Sequence, residues 1–325
     1  MSTHPPIPPI SSRHQPRFRS GERKRALAEA FQDQGEDYDR LRPGYPGAVI
    51  DAILAHLPGG VPNLDAHPTS APPAQARPAH APVRAIDLGA GTGKLSWALA
   101  ERGVQVTAVD TSEAMLKALR ARASADPLDQ SAPTLSTHRA AAESTALPAA
   151  SAHLVTAAQA WHWFDAPAAT AEVTRLLAPG GVLALVWNTM DVTIPWVHRL
   201  SRIMHAGDVQ REDFLPTVGP ELALVDRVVH HWEDPLPTHD LIDLARTRSY
   251  VITATEERRQ KVLANLDWYL HDHLGHAPGS LVDLPYRTDL FLYRQDAGTP
   301  VPLPTSNSAS EGQAPPSDGA PPPSP

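Results

Sequence analysis

Short apolar runs alternate with helical patterns along the middle of the chain. Five runs of strand length lie between residues 83 and 188: VRAIDLG, VQVTAVD, TLSTHRA, AHLVTAAQA and VLALVWN. Helical spacing separates them, as at Met115, Leu116 and Leu119. Continuous apolar strands that alternate with helices are typical of a parallel sheet whose two faces are both covered.

The pattern continues beyond this core. PWVHRLSRIMH has helical spacing, LALVDRVVHHWE is strand-like, residues 255–274 predict a longer helix, and DLFLYRQ predicts a closing strand. We therefore predict an α/β fold with a Rossmann-like, doubly wound sheet of seven mostly parallel strands and helices on both faces.

Proline marks the limits of the predicted domain. The 35 prolines concentrate in segments that lack large apolar residues at regular spacing, a composition typical of disorder. We expect a disordered arm at 1–20, one folded domain at 21–295 with its core at 83–188 and a Pro/Ala-rich insertion at 61–82, and a disordered Pro/Ser-rich tail at 296–325.

Charge and cysteine content exclude several classes of function. The formal net charge of −8 disfavours nucleic acid as a partner, and the absence of cysteine excludes disulfides and thiolate metal sites. The histidine-rich stretches lack zinc-site spacing, so we expect no metal. Neither a signal peptide nor a membrane-length apolar run is present, so we expect a cytoplasmic protein that acts on a small molecule. The sequence carries no signal for an oligomeric state.

The glycine-rich turn after the first predicted strand is the main candidate ligand site. Gly89, Gly91 and Gly93 occupy alternate positions there, and glycine lets a backbone turn tightly and approach a ligand closely. Asp110 ends the next strand, about 20 residues further on, where a carboxylate can accept hydrogen bonds from ribose hydroxyls. The nicotinamide fingerprint would need a third small residue where Lys94 stands. The spacing therefore favours an adenosine-containing ligand other than a dinucleotide.

The string DLGAGTG resembles the first motif of the class I methyltransferases that use S-adenosylmethionine. VTAVDTSEAML, RAAAESTALP, AQAWHWFD and LLAPGGVLALVWN resemble later segments of that family, in the same order. YDRLRPGYP and RTRSYV are similar to flanking segments of its type-11 branch, which includes trans-aconitate-like carboxyl methyltransferases. The resemblance implies methyl transfer to a small-molecule acceptor, with a carboxylate or hydroxyl favoured.

The resemblance also implies which residues hold S-adenosylmethionine. Asp87 would bind the amino group of the methionine half, and Asp110 the ribose. The other implied contacts are Gly89, Ala90, Gly91, Thr92 and Gly93 for the methionine half, Thr111, Met115, Ala142 and Glu143 for the adenosine half, and Gln159 and Ala160 for the sulfonium. Many relatives have an acid at the position of Ala141, so one adenine contact is absent here.

Candidate residues for the acceptor half follow the fourth predicted strand and flank the core. His162 is the candidate catalytic group, as a base or as a group that orients the acceptor, although a carboxylate acceptor needs no base. Arg42 and Arg248 could bind a carboxylate through two hydrogen bonds. The remaining candidates are Trp161 and Trp163 as an apolar wall, Tyr38 as part of a lid with Arg42, and Tyr250. Alternatively, His162 and the aromatic residues only pack the strand end, and Arg42 belongs to a surface turn.

Two other classes of function remain open at this point. A nicotinamide-dependent oxidoreductase would share the predicted fold, although Lys94 counts against it. A non-catalytic module could bind an adenosine ligand and use the basic arm within 1–20 and the proline-rich tail to hold a partner. Such a module would bind the ligand without turnover.

Overall fold

The computed structural model describes residues 39–58, 82–123, 135–206 and 213–295. The predicted arm, the predicted tail, residues 61–81 of the predicted insertion, and Tyr38 lie outside these ranges.

The described ranges contain seven strands and eight α-helices. The strands are β1 (Arg84–Leu88), β2 (Gln105–Asp110), β3 (Leu135–Arg139), β4 (Ala152–Ala158), β5 (Leu177–Met190), β6 (Leu222–Pro237) and β7 (Leu281–Gln295). The helices are α1 (Gly47–Ala55), α2 (Lys94–Ala100), α3 (Glu113–Ala123), α4 (Ala166–Leu176), α5 (Pro195–Ile203), α6 (Thr238–Asp243), α7 (Ser249–Ile252) and α8 (Glu256–Trp268). Short 3₁₀ turns at Trp161–Trp163 and Leu244–Thr247 and a π-helical turn at Tyr269–His273 complete the described elements.

All seven strands form one sheet in the order β3-β2-β1-β4-β5-β7-β6. Strands β1 to β5 pair in parallel, whereas β7 lies antiparallel between β5 and β6. The predicted doubly wound, mostly parallel sheet of seven strands is confirmed. Every apolar run that predicted a strand corresponds to one of them.

Side-chain caps fix where two of the helices begin. The Ser112 hydroxyl accepts a hydrogen bond from the backbone N–H of Met115 at 3.3 Å and so caps α3. The Asp165 carboxylate accepts one from the N–H of Ala168 at 3.1 Å and caps α4, whose first turn contains a proline. Each cap directs the chain from the end of a strand back across the sheet.

The alternation of side chains along β5 divides the core between the two faces of the sheet. Val182, Ala184 and Val186 pack with α1 and α2, while Leu183 and Leu185 pack on the opposite face with α4. A third apolar cluster lies beneath α5, α6 and α8, a group of helices that we call the cap. Within α5 and just after it, Leu200 and Met204 are fully buried in that cluster.

The strand order reverses direction at β1, because β2 and β3 lie on one side of it and β4 and β5 on the other. Ligands of open α/β sheets bind at the carboxyl ends of the strands at such a point. The glycine turn follows β1 directly, so the fold places it there. Among the described helices, none combines the length and the apolar composition that crossing a membrane requires.

Candidate functional site

A cavity of about 300 Å³ lies at the carboxyl ends of β1, β2, β4 and β5. Its volume is at the lower end of the range typical for sites of small ligands. The strands and the turns and helices that follow them contribute Asp87, Gly89, Ala90, Gly91, Thr92, Lys94, Leu95, Asp110, Thr111, Ser112, Met115, Ala140, Ala142, Ala158, Gln159, Ala160, His162, Trp163, Phe164, Asn188 and Tyr286 to the lining. Residues before the sheet and in the cap region contribute Arg42, Pro43, Tyr45, Ala206, Arg248 and Ser249.

The glycine turn brings backbone rather than side chains to the cavity. Gly89, Gly91 and Gly93 have φ angles of 66°, 57° and 84°, a region that other residues rarely adopt. A Cβ at Gly89 would lie 2.6 Å from the Cβ of Ala160, whereas one at Gly91 would meet nothing within 4 Å. The first glycine therefore permits close packing against the end of β4, and the second leaves open space in the cavity.

Asp87 lies at the bottom of this turn and is 1% exposed. Its carboxylate accepts hydrogen bonds from the hydroxyls of Ser96 at 2.6 Å and Thr156 at 2.7 Å. Burial raises the pKa of Asp87 to about 6, although these two hydrogen bonds act in the opposite direction. A cationic group in the cavity would favour the charged form of this carboxyl.

Asp110 joins the glycine turn to the start of α3. One carboxylate oxygen accepts from the backbone N–H of Gly91 at 2.9 Å, and the other accepts from that of Ser112 at 2.8 Å. Burial raises the pKa of Asp110, while the backbone hydrogen bonds oppose that shift. The carboxylate is thus held in one orientation, and each oxygen can accept a further hydrogen bond from a ligand.

The end of β4 forms a second wall of the cavity. Gln159 has a φ of 55°, unusual for a residue other than glycine, and its side-chain amide donates to the backbone carbonyl of Asn188. His162, Trp163 and Phe164 follow it along the lining. The His162 and Trp163 rings have centroids 5.1 Å apart and both residues line the cavity, and the catalytic role of His162 stays a prediction.

The turn after β3 carries Ala142, which lines the cavity, and is held in place by Glu172 of α4. The Glu172 carboxylate accepts from the backbone N–H of Thr145 at 2.8 Å and from its hydroxyl at 2.6 Å, and it forms an ion pair with Arg175. Burial alone would raise the pKa of Glu172, but the hydrogen bonds from Arg175 and Thr145 outweigh burial and lower it to about 2. Ala141 forms an isolated bridge with Ser144 and offers no side-chain acceptor.

Two arginines reach the cavity from outside the sheet. Arg248 precedes α7 and is 2% exposed. Arg42 lies in the segment before α1, and its guanidinium donates to the hydroxyl of Thr247 at 2.9 Å and to the carbonyl of the same residue at 2.7 Å. The cavity therefore combines carboxylates from β1 and β2 with guanidinium groups from the segments before α1 and α7. This arrangement suits a cationic group of one ligand beside an anionic group of another.

Four candidate residues from the sequence are not placed at the cavity. Gly93 does not line it, and a Cβ there would lie 2.6 Å from the side chain of Leu119. Glu143 does not line it, because its carboxylate accepts from the backbone N–H of Asp165. Trp161 is buried in the core, where its indole N–H donates to the carbonyl of Thr217 at 2.8 Å. Tyr250 is 41% exposed and stacks on His205, with ring centroids 4.0 Å apart.

Several residues that line the cavity were not among the site residues predicted from the sequence. Tyr45, Lys94, Asn188, Ser249 and Tyr286 all do so. Lys94 was noted only as an argument against a dinucleotide; burial lowers its pKa, and the nearby Asp39 at 3.6 Å opposes that shift. Lys94 follows the glycine turn directly, and Tyr45, Asn188 and Ser249 lie within other segments that carry the family resemblance, whereas Tyr286 lies in none of them. In the part of the chain that the structure describes, no three His, Cys, Asp or Glu side chains are grouped to hold a metal ion.

Comparisons with known proteins agree with this geometry. The Methyltransf_11 family model, described as a methyltransferase domain, matches residues 86–185. An uncharacterized methyltransferase of Mycobacterium tuberculosis is 38% identical over 266 residues, which cover 82% of this chain and 95% of that protein. An uncharacterized methyltransferase-like protein of Schizosaccharomyces pombe is 28% identical over 246 residues, or 74% of this chain and 85% of that one. A solved structure from Anaeromyxobacter dehalogenans, described as a candidate type II methyltransferase, is 26% identical with a TM-score of 0.53, and the match covers 78% of this chain and 96% of that chain.

Proposed function

We propose that the chain, which belongs to the class I S-adenosylmethionine-dependent methyltransferases, transfers the methyl group to the carboxylate of a small molecule. Membership of this family sets aside the nicotinamide and non-catalytic alternatives. The carboxylate acceptor is also what the resemblance to trans-aconitate-like enzymes implies, and that finer assignment stays a prediction.

The residues around the glycine turn fit the methyl donor. The open space above Gly91 admits a ligand against the backbone, and the buried Asp87 provides an acceptor for the ammonium group of the methionine half. Asp110 is oriented to accept from the two ribose hydroxyls, while Met115 and Ala142 provide apolar contacts for the adenine. When bound, S-adenosylmethionine supplies a methyl group on a positively charged sulfur, so transfer to a carboxylate oxygen makes an ester without moving a proton.

The observation that carries the proposal is the pair of arginines in the same cavity. A guanidinium group matches a carboxylate with two parallel hydrogen bonds, and Arg248 is almost fully removed from water, where such pairing is strongest. Arg42 lines the same cavity, and its guanidinium is oriented by two hydrogen bonds to Thr247. Together they would hold the acceptor oxygen toward the donor and exclude water, which is most of what a methyl transfer requires.

A hydroxyl acceptor is the second candidate, because His162 lines the cavity and could accept the proton that a hydroxyl must lose. The two candidates differ in the product that they form. A carboxylate acceptor gives a methyl ester, which alkali hydrolyses to methanol, whereas a hydroxyl acceptor gives an ether that is stable to alkali.

The test is transfer of a tritiated methyl group from S-adenosylmethionine into a small-molecule extract, followed by alkali treatment. We expect the label to be released as volatile methanol. Retention of the label after alkali would refute the carboxylate and favour the hydroxyl. The matched variants are Arg248→Lys and Arg248→Met, assayed with the extract fraction that accepts the label. The KM for the acceptor should rise in both variants, and more in Arg248→Met. The Kd for S-adenosylhomocysteine should stay within about twofold of the wild-type value, since the donor residues are untouched.

A further inference from the structure

A chain of hydrogen bonds crosses three strands beside the cavity and ends on the segment in front of α1. The Trp232 indole N–H of β6 donates to the Thr288 hydroxyl of β7 at 2.9 Å. That hydroxyl donates to the Asn188 side-chain oxygen at 2.7 Å, and the Asn188 amide nitrogen donates to the backbone carbonyl of Gly44 at 2.7 Å. Thr288 and Asn188 are both buried.

The two ends of the chain fix its direction. The Trp232 indole nitrogen can only donate, and the Gly44 carbonyl can only accept. The Asn188 side chain must therefore present its NH₂ group to Gly44 and its oxygen to Thr288, so the Thr288 hydroxyl accepts from Trp232 and donates to Asn188. The orientation of this amide, which otherwise has two possibilities, is set by Gly44, and Thr288 and Trp232 complete its hydrogen bonds.

Asn188 also contacts the end of β4. Its backbone carbonyl accepts from the side-chain amide of Gln159, the residue with the left-handed φ at the cavity wall. One residue thus links the strand end beside the donor turn to the segment that carries Arg42, Pro43 and Tyr45 into the cavity lining.

The segment in front of α1, residues 39–46, which we call the cover, is tied down at four places, one of which is the ion pair between Arg40 and Asp240 of α6. Asp39 accepts from the Thr92 hydroxyl of the glycine turn at 2.8 Å. Arg42 donates to Thr247 beside the cap, and Gly44 accepts from Asn188 of the sheet. The tether at Gly44 joins the middle of the cover to the sheet, next to three lining residues.

We propose that Asn188 is a positioning residue that holds the cover closed over the cavity and thereby controls how tightly the methyl donor is retained. The inference rests on the proposed donor site. It goes beyond that site because it assigns a role to Thr288 and Trp232, which do not line the cavity but hold the side-chain oxygen of Asn188 in place.

The test changes Thr288, because that residue acts only through its neighbours. Thr288→Val keeps the shape of the side chain but removes the hydroxyl, while Thr288→Ser restores the hydroxyl as a matched control. Asn188→Asp is a second variant that keeps an acceptor for Thr288 but replaces the NH₂ donor opposite the Gly44 carbonyl with an oxygen. Amide hydrogen exchange of the peptide covering residues 39–46 is measured in the ligand-free protein, and the Kd for S-adenosylhomocysteine is measured by calorimetry.

We expect exchange of the cover amides to become about tenfold faster in Thr288→Val and in Asn188→Asp, the effect of losing one buried hydrogen bond. The Kd for S-adenosylhomocysteine should rise about tenfold in Thr288→Val, and Thr288→Ser should stay within about twofold of wild type in both measurements. The proposal would be overturned if amide exchange of the cover were unchanged in both Thr288→Val and Asn188→Asp. It would also be overturned if exchange became faster to the same extent throughout β5 and β7. Failure of the wild-type protein to bind the ligand would instead refute the proposed donor site, while the exchange measurement would still test the tether.

Discussion

Gly91→Ala separates the ligand site from the stability of the fold. A Cβ at this position meets nothing within 4 Å, so the added methyl group enters open space in the cavity rather than the core. The φ of 57° costs an alanine about 1–2 kcal/mol relative to a relaxed backbone, which corresponds to a fall in Tm of about 2–8 °C for a domain of this size.

The effect on binding should exceed the effect on stability. Inserting a methyl group where a ligand must approach the backbone costs about 1–3 kcal/mol, which weakens binding about 5- to 150-fold. The assay is calorimetric titration with S-adenosylhomocysteine beside thermal unfolding of the same samples. We expect a large rise in Kd with a modest fall in Tm.

Two other glycines provide matched controls. Gly44→Ala adds a methyl group that also meets nothing within 4 Å and needs no left-handed φ, so neither Kd nor Tm should change. Gly89→Ala forces its Cβ to 2.6 Å from that of Ala160, so it should lower Tm more than Gly91→Ala does. Wild-type affinity in a folded Gly91→Ala protein would refute the placement of the donor against this turn.

The other predictions concern three titratable groups. The pKa of Asp87 is raised to about 6 in the folded chain, so the unfolded chain loses this proton at a lower pH than the folded chain does. The free energy of unfolding should therefore fall by up to about 3 kcal/mol as the pH rises from 4 to 6. Denaturant titrations should show that Asp87→Asn removes this fall. The pKa of Glu172 is lowered to about 2, so its stabilising contribution is present above about pH 4.5 and lost toward pH 2; Glu172→Gln should lower Tm at pH 7 but not near pH 2. His162→Gln should keep kcat within about tenfold if the acceptor is a carboxylate, because no proton moves, and a loss of 10²-fold or more in a methyl-transfer assay would contradict that acceptor.

The half of the cavity that we assign to the donor could be predicted from the sequence because it is built locally. The glycine turn, Asp110 and Met115 lie within about 30 residues of one another, and their strand and helix signals set their positions. Each predicted strand of the core is present, since the apolar runs of a parallel sheet differ clearly from the helices between them.

The acceptor half depends on contacts between distant parts of the chain. Arg42 meets Thr247 across 205 residues, and Asn188 meets Thr288 only because β7 inserts antiparallel beside β5. No local pattern reports such pairings. Contacts with distant residues also explain why Trp161 and Tyr250 do not line the cavity as predicted. The Trp161 indole N–H donates to a backbone carbonyl in the core, and the Tyr250 ring stacks on His205.

Titration of the wild-type protein and of Asp110→Asn with S-adenosylhomocysteine tests the central claim most directly. The variant has nearly the same shape but replaces one acceptor oxygen, so a ribose held by this side chain would lose a charge-assisted hydrogen bond of about 1.5–3 kcal/mol. We predict saturable binding by the wild-type protein and an affinity about 10- to 150-fold lower in Asp110→Asn. Equal affinity in the two folded proteins, or no binding by the wild type at millimolar ligand, would contradict the account.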